Sequence, residues 1–231
     1  MPSRARLARA GAIMAIALAA THVWAADIKI LSRTGWEAQP ARTDPAVPKG
    51  LVETAKVKIR IEKKMPPREP AVYLTVHHNM EGVKTVPLAE QLRNHQNSMF
   101  GYWIDNKTTG VRTHIFLGDT PYHFFIAASG QVAEGRELKF AAYSNTKYLT
   151  PIARHITVVL EGNFEKIEPT AAQISSLVSL LAKLAREHKV KLANIGTHAG
   201  VVKKGDTTCP GEKLIKRFPA VKAALAKQGI K

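Results

Sequence analysis

The sequence predicts an α/β domain: a central mixed β-sheet with helices packed on its faces. Three observations carry that prediction. First, short β-branched apolar runs recur, above all "AVYLTVHH" (residues 71–78) and "HITVVLEG" (155–162), which read as strands buried on both faces. Second, other segments place apolar residues at helical spacing, most clearly "PTAAQISSLVSLLAKLAREH" (169–188). Third, the two kinds alternate along the chain between Gly- and Pro-bearing turns, the order that layers helices against a sheet.

The elements follow in order. Arg4, Arg6 and Arg9 precede an apolar run from Ala10 to Ala20 that is short for a membrane span, and Val23 and Ala25 supply small residues at a cleavage site. Residues 1–25 therefore read as a signal peptide, with an uncleaved anchor as the alternative, and the mature chain, 26–231, as one exported domain, periplasmic or secreted. No later stretch is long and apolar enough to span a bilayer. Residues 37–50, "EAQPARTDPAVPKG", form an irregular lead-in. "VKIRIEK" (57–63) alternates like a half-buried strand, and 71–78 follows as a central one. "PLAEQLRNHQNSM" (87–99) sets Leu88, Leu92, His95 and Met99 on one helical face, with Pro87 suited to the first turn. "YHFFIAASG" (122–130) is a strand running into a turn, and 155–162 is a third buried strand. The helix at 170–188 opens on a capping box, Thr170 with Gln173, and carries Ile174, Leu177, Val178, Leu181 and Leu184 inward. "ANIGTH" (193–198) is a short strand ending at His198, and the helical stretch 211–229 is interrupted by Pro219.

The formal charge is +16, and removing the three signal arginines leaves +13. Such a surface favours anionic partners; in an exported protein these are cell-wall polymer or lipid rather than nucleic acid. No internal repeat is present. Cys209 is the single cysteine, so no disulfide can form within one chain. It can be a quiet buried thiol, a nucleophile, a bridge to another chain or a metal ligand. Histidines stand at strand ends, His77 and His78 after "YLTV" and His198 after "NIGT", with Cys209 eleven positions further on (209 − 198). Two imidazoles and a thiolate suit zinc, and three protein ligands leave a fourth position for water, the arrangement of catalytic sites. From spacing alone the same residues also read as core histidines and an inert cysteine.

Four segments, in order, resemble the zinc amidase family that includes peptidoglycan recognition proteins and T7-type lysozyme amidases: "ILSRTGWEAQPA", "YLTVHHN", "GDTPYHFFIAASGQVAEGR" and "LEGNF…PTAAQ…IGTH…TTCPG". Together they cover residues 30 to about 218. The resemblance implies a single-domain fold of the recognition-protein type, with a zinc cleft on its mixed sheet. It implies His77, His198 and Cys209 as zinc ligands, Tyr122 as the catalytic tyrosine, Thr207 as a second polar group beside the site, and peptidoglycan or a muropeptide as substrate. The family's ligand follows directly on the hydrophobic strand, which favours His77, and neighbours on a strand face opposite ways, which leaves His78 as an alternative rather than a co-ligand. By the same alternation His123 faces away from Tyr122 and packs.

The pattern also has departures. The glutamate that one branch uses as a base corresponds to Val159; Glu161, on the same strand face, is kept as a candidate. The lysine of T7-type enzymes corresponds to Thr207. Arg136 is a candidate for holding substrate carboxylates, or an ordinary surface arginine, and Lys203 and Lys204 lie in a long loop before the cysteine. The segment "GYWIDNKTTGVRTHIFLGD" (101–119) reads as an insertion that shapes access. The expected activity is hydrolysis of the amide between N-acetylmuramic acid and L-alanine. The other function classes are a non-catalytic peptidoglycan-binding module and a basic protein acting by charge. A cysteine protease reading would use His198 as base but leaves the His77 and Tyr122 segments unexplained.

Overall fold

The computed structural model describes residues 28–43, 49–61 and 65–231. The expected signal peptide, 1–25, lies outside the described residues. Among those described, no helix is long and apolar enough to cross a membrane.

The central sheet is built from β1 (Ile30–Leu31), β3 (Tyr73–His78), β6 (Phe124–Ile126), β7 (Val132–Glu134), β8 (His155–Leu160) and β9 (Ile195–Thr197), in the spatial order β1-β7-β6-β8-β3-β9. It is mixed: β6 and β7 are an antiparallel hairpin, and the remaining pairs are parallel. β8 and β3 lie side by side near the centre, with His77 opposite Val159 and Thr197 of β9 opposite Val76. Because β3, β8 and β9 run the same way, their C-terminal ends share one edge of the sheet, and that edge receives His77 and His198.

Alternation sorts the side chains between two faces. One face carries Leu74, Val76, Ile156, Val158 and Leu160 and is covered by α2 (Ala171–His188) and α4 (Glu212–Lys227) through Leu177, Leu181, Leu184, Leu214, Phe218, Val221 and Leu225. The other carries Phe125, Ala133 and Val159 and is covered by Trp36 together with Leu88 and Leu92 of α1 (Leu88–Met99). This second cover is smaller. His77 belongs to it, and the uncovered part of the face becomes a cleft.

α2 starts as the sequence predicts: the Thr170 hydroxyl accepts from the Gln173 N–H, and the Gln173 side chain accepts from the Thr170 N–H. α1 corrects the expected stripe. Leu88, Leu92 and Gln96 are buried, whereas His95 and Met99 turn toward the cleft. Pro219 does not interrupt the last helix. α4 runs through it, with the proline on the exposed side and Phe218 and Val221 packed inward. The proline removes one N–H from the ladder, and burial of Phe218 and Val221 on either side of it holds the axis.

The insertion folds as β4 (Tyr102–Asn106) and β5 (Val111–Phe116), which join β2 (Val57–Ile61) in a second sheet of order β2-β5-β4. Its register puts Lys58 and Arg60 on one face and Trp103, Asp105, Arg112 and His114 on the other.

Candidate metal centre

His77 is the fifth residue of β3 and points to the α1 face, and His198 is the first residue of α3 (His198–Val201), directly after β9. Cys209 comes from a loop pinned to both. Its carbonyl accepts from the Ala199 N–H (2.8 Å), and its Sγ lies 3.5 Å from the His78 N–H. Past the loop, Gly211 has φ +94°, and a Cβ there would come within 2.5 Å of the Phe164 carbonyl carbon. Only glycine allows the chain to pass so close and place the cysteine.

One ligand atom from each of His77, His198 and Cys209 lies within 4.8 Å of the others, and all three side chains are buried. The His77 Nδ1–Cys209 Sγ distance is 3.7 Å. Tetrahedral zinc with bonds of about 2.3 Å to sulfur and about 2.05 Å to nitrogen puts its ligand atoms about 3.6 Å apart. The Nε2 atoms are occupied: His77 Nε2 is 2.8 Å from Tyr148 Oη, and His198 Nε2 is 2.6 Å from Thr146 Oγ1 and 3.2 Å from Ser144 Oγ. The His198 Nδ1 is buried without a hydrogen-bond partner. A buried orphan nitrogen aligned with a thiol and a second imidazole is a costly arrangement unless a cation joins them. The donor set therefore fits zinc.

Electrostatics agree. Burial, reinforced by the other histidines, holds His77 well below the usual imidazole range, and burial brings His198 to about 4. Both are thus neutral, the form that ligates. Burial pushes the Cys209 thiol up to about 12, only partly offset by the His78 N–H. A thiol so placed is a poor nucleophile in its own right, which argues against the cysteine protease reading; a bound cation is what would make it a thiolate.

The three residues open on a cleft of about 350 Å³ that also has Tyr122, Thr207, Glu81 and Tyr143 in its walls. The Tyr122 ring centroid is 5.0 Å from that of His77. Thr207 Oγ1 accepts from the Cys209 N–H at 3.1 Å, so it shapes the cysteine loop as well as the cleft wall. His78 stands apart from the cluster. Its ring stacks against Phe164, with centroids 6.0 Å apart, and its Nδ1 accepts from the Phe164 N–H. His123 is likewise packed away, accepting from the Thr157 N–H at Nδ1 and bonding the Phe140 carbonyl at Nε2.

Other expectations are corrected. Arg136 is neither at the cleft nor on the surface: it is buried, and its guanidinium donates to the carbonyls of Leu117, Asp119, Thr120 and Ala141. It ties the segments flanking Tyr122 and is unavailable to substrate. Glu161 is buried beyond the end of β8, where its two oxygens accept from the N–H groups of Lys84 and Ala128; Val159 lies in the apolar cluster beneath the cleft. Lys203 and Lys204 are exposed and outside the cleft lining. Sequence reasoning missed Ser144, Thr146 and Tyr148. Their one signal is a hydroxyl-rich run, "YSNTKY", which has no periodicity to mark it.

Residues 67–212 match the family profile described as N-acetylmuramoyl-L-alanine amidase. No curated protein matches the chain. Among solved structures, the Drosophila peptidoglycan recognition protein SD is similar at 19% identity, over 83% of this chain and 94% of that chain, with a TM-score of 0.58. The amidase LysC from Clostridium intestinale matches at 21% identity over 77% of this chain and 100% of that one, TM-score 0.51. Peptidoglycan recognition protein LE, solved in complex with tracheal cytotoxin, a monomeric diaminopimelic acid-type peptidoglycan, matches at 19% over 83% and 92%, TM-score 0.57. At these identities the likeness is one of fold.

Proposed function

Since the chain belongs to the N-acetylmuramoyl-L-alanine amidase family, we propose that it is a zinc-dependent amidase that hydrolyses the bond between the lactyl group of N-acetylmuramic acid and L-alanine in peptidoglycan. The observation that carries this reading is the gathering of His77, His198 and Cys209 ligand atoms within 4.8 Å at the floor of a cleft walled by Tyr122. The likeness of fold to a recognition protein solved with a muropeptide supports that substrate class.

His77, His198 and Cys209 would hold the metal. Zinc bound there supplies a Lewis acid and a water of pKa about 7. The chain's own groups do the rest. The cleft takes the muramoyl-peptide amide over the metal ligands, beside Tyr122. The Tyr122 hydroxyl donates to the amide oxygen as that oxygen gains negative charge. Thr207 keeps the cysteine loop in place through the Cys209 N–H while presenting its side chain to the cleft. Glu161, just past β8, takes no part, because it is buried and held by two backbone N–H groups; the carboxylate in the cleft wall is Glu81. Residues 1–25 are read as an export signal and 26–231 as the amidase domain, which fits a substrate outside the cytoplasm; the N-terminal sequence of the exported protein checks this.

The decisive experiment is metal analysis of the purified protein together with turnover of purified muropeptides, the cut bond identified by mass. One zinc per chain and release of the intact stem peptide are expected. A metal-free, fully active protein would overturn the zinc assignment. Tight muropeptide binding without turnover would make it a binding module, and binding that moderate salt abolishes, with no zinc present, would make it a charge-driven interaction protein.

A further inference from the structure

Neither imidazole of the candidate metal centre is held by its own strand or helix alone. One short segment, Tyr143–Tyr148, reaches both. Tyr148 Oη meets His77 Nε2 at 2.8 Å, and Thr146 Oγ1 meets His198 Nε2 at 2.6 Å, with Ser144 Oγ at 3.2 Å from the same nitrogen. Ser144 and Thr146 are themselves 3.1 Å apart, and the Ser144 hydroxyl accepts from the Thr146 N–H. The segment is anchored at both ends. The Tyr143 N–H donates to the Pro121 carbonyl, next to Tyr122, and the Leu149 N–H donates to the Val201 carbonyl in α3. The Tyr148 ring stands edge-on to His155, centroids 4.7 Å apart, so its hydroxyl is held by packing as well.

A hydroxyl can give or take a proton, so by itself it leaves an imidazole tautomer open. The other side of each ring closes the choice. His77 Nδ1 faces Cys209 Sγ, and His198 Nδ1 has no partner. A ligating nitrogen must be bare, so the ring proton must sit on Nε2, and Nε2 then calls for an acceptor fixed by the protein. The hydroxyls of Tyr148 and Thr146 are placed to be those acceptors.

We propose that Tyr148, Thr146 and Ser144 are positioning residues for the metal centre: one hydroxyl-bearing loop that accepts the Nε2 protons of His77 and His198, aims both Nδ1 atoms at the metal position and so sets metal affinity. The proposal rests on the zinc reading above and assigns it an outer shell. Partners of this kind are typically worth 10- to 100-fold in metal affinity.

The test is zinc affinity by chelator competition on the full-length mature protein, with cobalt substituted for zinc to read ligand geometry from its visible absorption. Tyr148→Phe keeps the ring and removes only the hydroxyl; a loss of about 10- to 100-fold is expected. Thr146→Val is isosteric and should cost about 10-fold, since Ser144 remains, with a further loss on adding Ser144→Ala. Thr146→Ser restores the hydroxyl and should restore affinity, which a merely structural threonine would not do. Unchanged melting of the metal-free variants shows that the loss is not unfolding. In the metal-free protein, nitrogen-15 correlations should also report the Nε2–H tautomer for both histidines. Wild type that binds one zinc while Tyr148→Phe and Thr146→Val bind it equally well overturns this proposal and leaves the zinc reading standing. So does a Thr146→Ser variant as weak as Thr146→Val, or an Nδ1–H tautomer at both rings. A wild type that binds no zinc overturns the metal reading itself.

Discussion

The two sheets of this molecule use similar residues to opposite ends. In the six-stranded sheet β8 is buried at every position and β3 at all but its first. Polar residues inside it are committed: Thr75 is 2.8 Å from His155, Thr157 bonds His123, and His77 faces the cluster. In the three-stranded sheet β2 alternates, and Lys58 and Arg60 are exposed. There Arg112 lies over the Trp103 ring and pairs with Asp105 at the surface, and Trp103 and Ile104 are each 38% exposed. The family match begins at residue 67, after β2, so one strand of this sheet precedes it. A buried polar residue must be bonded or employed, whereas an exposed one need be neither. The buried polar residues of the first sheet are informative about function, whereas the exposed ones of the second are not.

The sharpest way to break that contrast is Cys209→Ser. Serine keeps its proton where a thiol yields it, so zinc affinity should fall by more than the ~100-fold upper value of an outer-shell partner, with the fold retained. Zinc should also shield Cys209 from alkylation; a thiol that labels equally fast with and without chelator is no ligand. Next comes Tyr122→Phe, which should keep zinc and lose about 10²–10³ in kcat; unchanged turnover on muropeptides would move the donor role elsewhere.

Stability tests follow. Leu181→Ala, between α2 and the central sheet, should cost about 2–5 kcal/mol in denaturant unfolding. The main sheet should also be the acid-sensitive one. Burial holds His123 at about 3, whereas an unfolded imidazole titrates near 6.5, so between those values the unfolded chain binds the extra proton. The stability contributed by neutral His123 is complete above about pH 6.5 and is lost as pH falls toward 3, at up to ~1.4 kcal/mol per pH unit. Unfolding measured in chelator across that window checks it, and a flat profile would be the contrary result. The smallest effect is expected in the other sheet: Ile104→Ala, at an exposed position, should stay within about 0.5 kcal/mol. A cost comparable with that of Leu181→Ala would erase the distinction between the sheets.

The sequence by itself determined whatever is local or periodic. Residues 71–78 and 155–162 read as buried strands because they are short, charge-poor and β-branched, and the strands run Tyr73–His78 and His155–Leu160. The Thr170 box set the start of α2, and strand alternation separated His77 from His78, whereas Tyr122 and His123 lie just before β6 rather than in it. The motif blocks brought His77, His198 and Cys209 forward as a set. Tertiary structure decided what depends on residues far apart in the chain. Arg136 carries a charge that by composition belongs outside; it lies inside because carbonyls from 117 to 120 and from 141 converge on it, and no local pattern announces such convergence. His95 and Met99 continue an apolar stripe in α1 yet face the cleft, because α1 and Trp36 cover only part of their side of the sheet. Pro219 sits inside a helix because packing on both sides outweighs the lost hydrogen bond. Tyr148 meets His77 across 71 residues of chain, a distance closed where Tyr148 bridges Val202 and the Leu149 N–H bonds the Val201 carbonyl, just past β9.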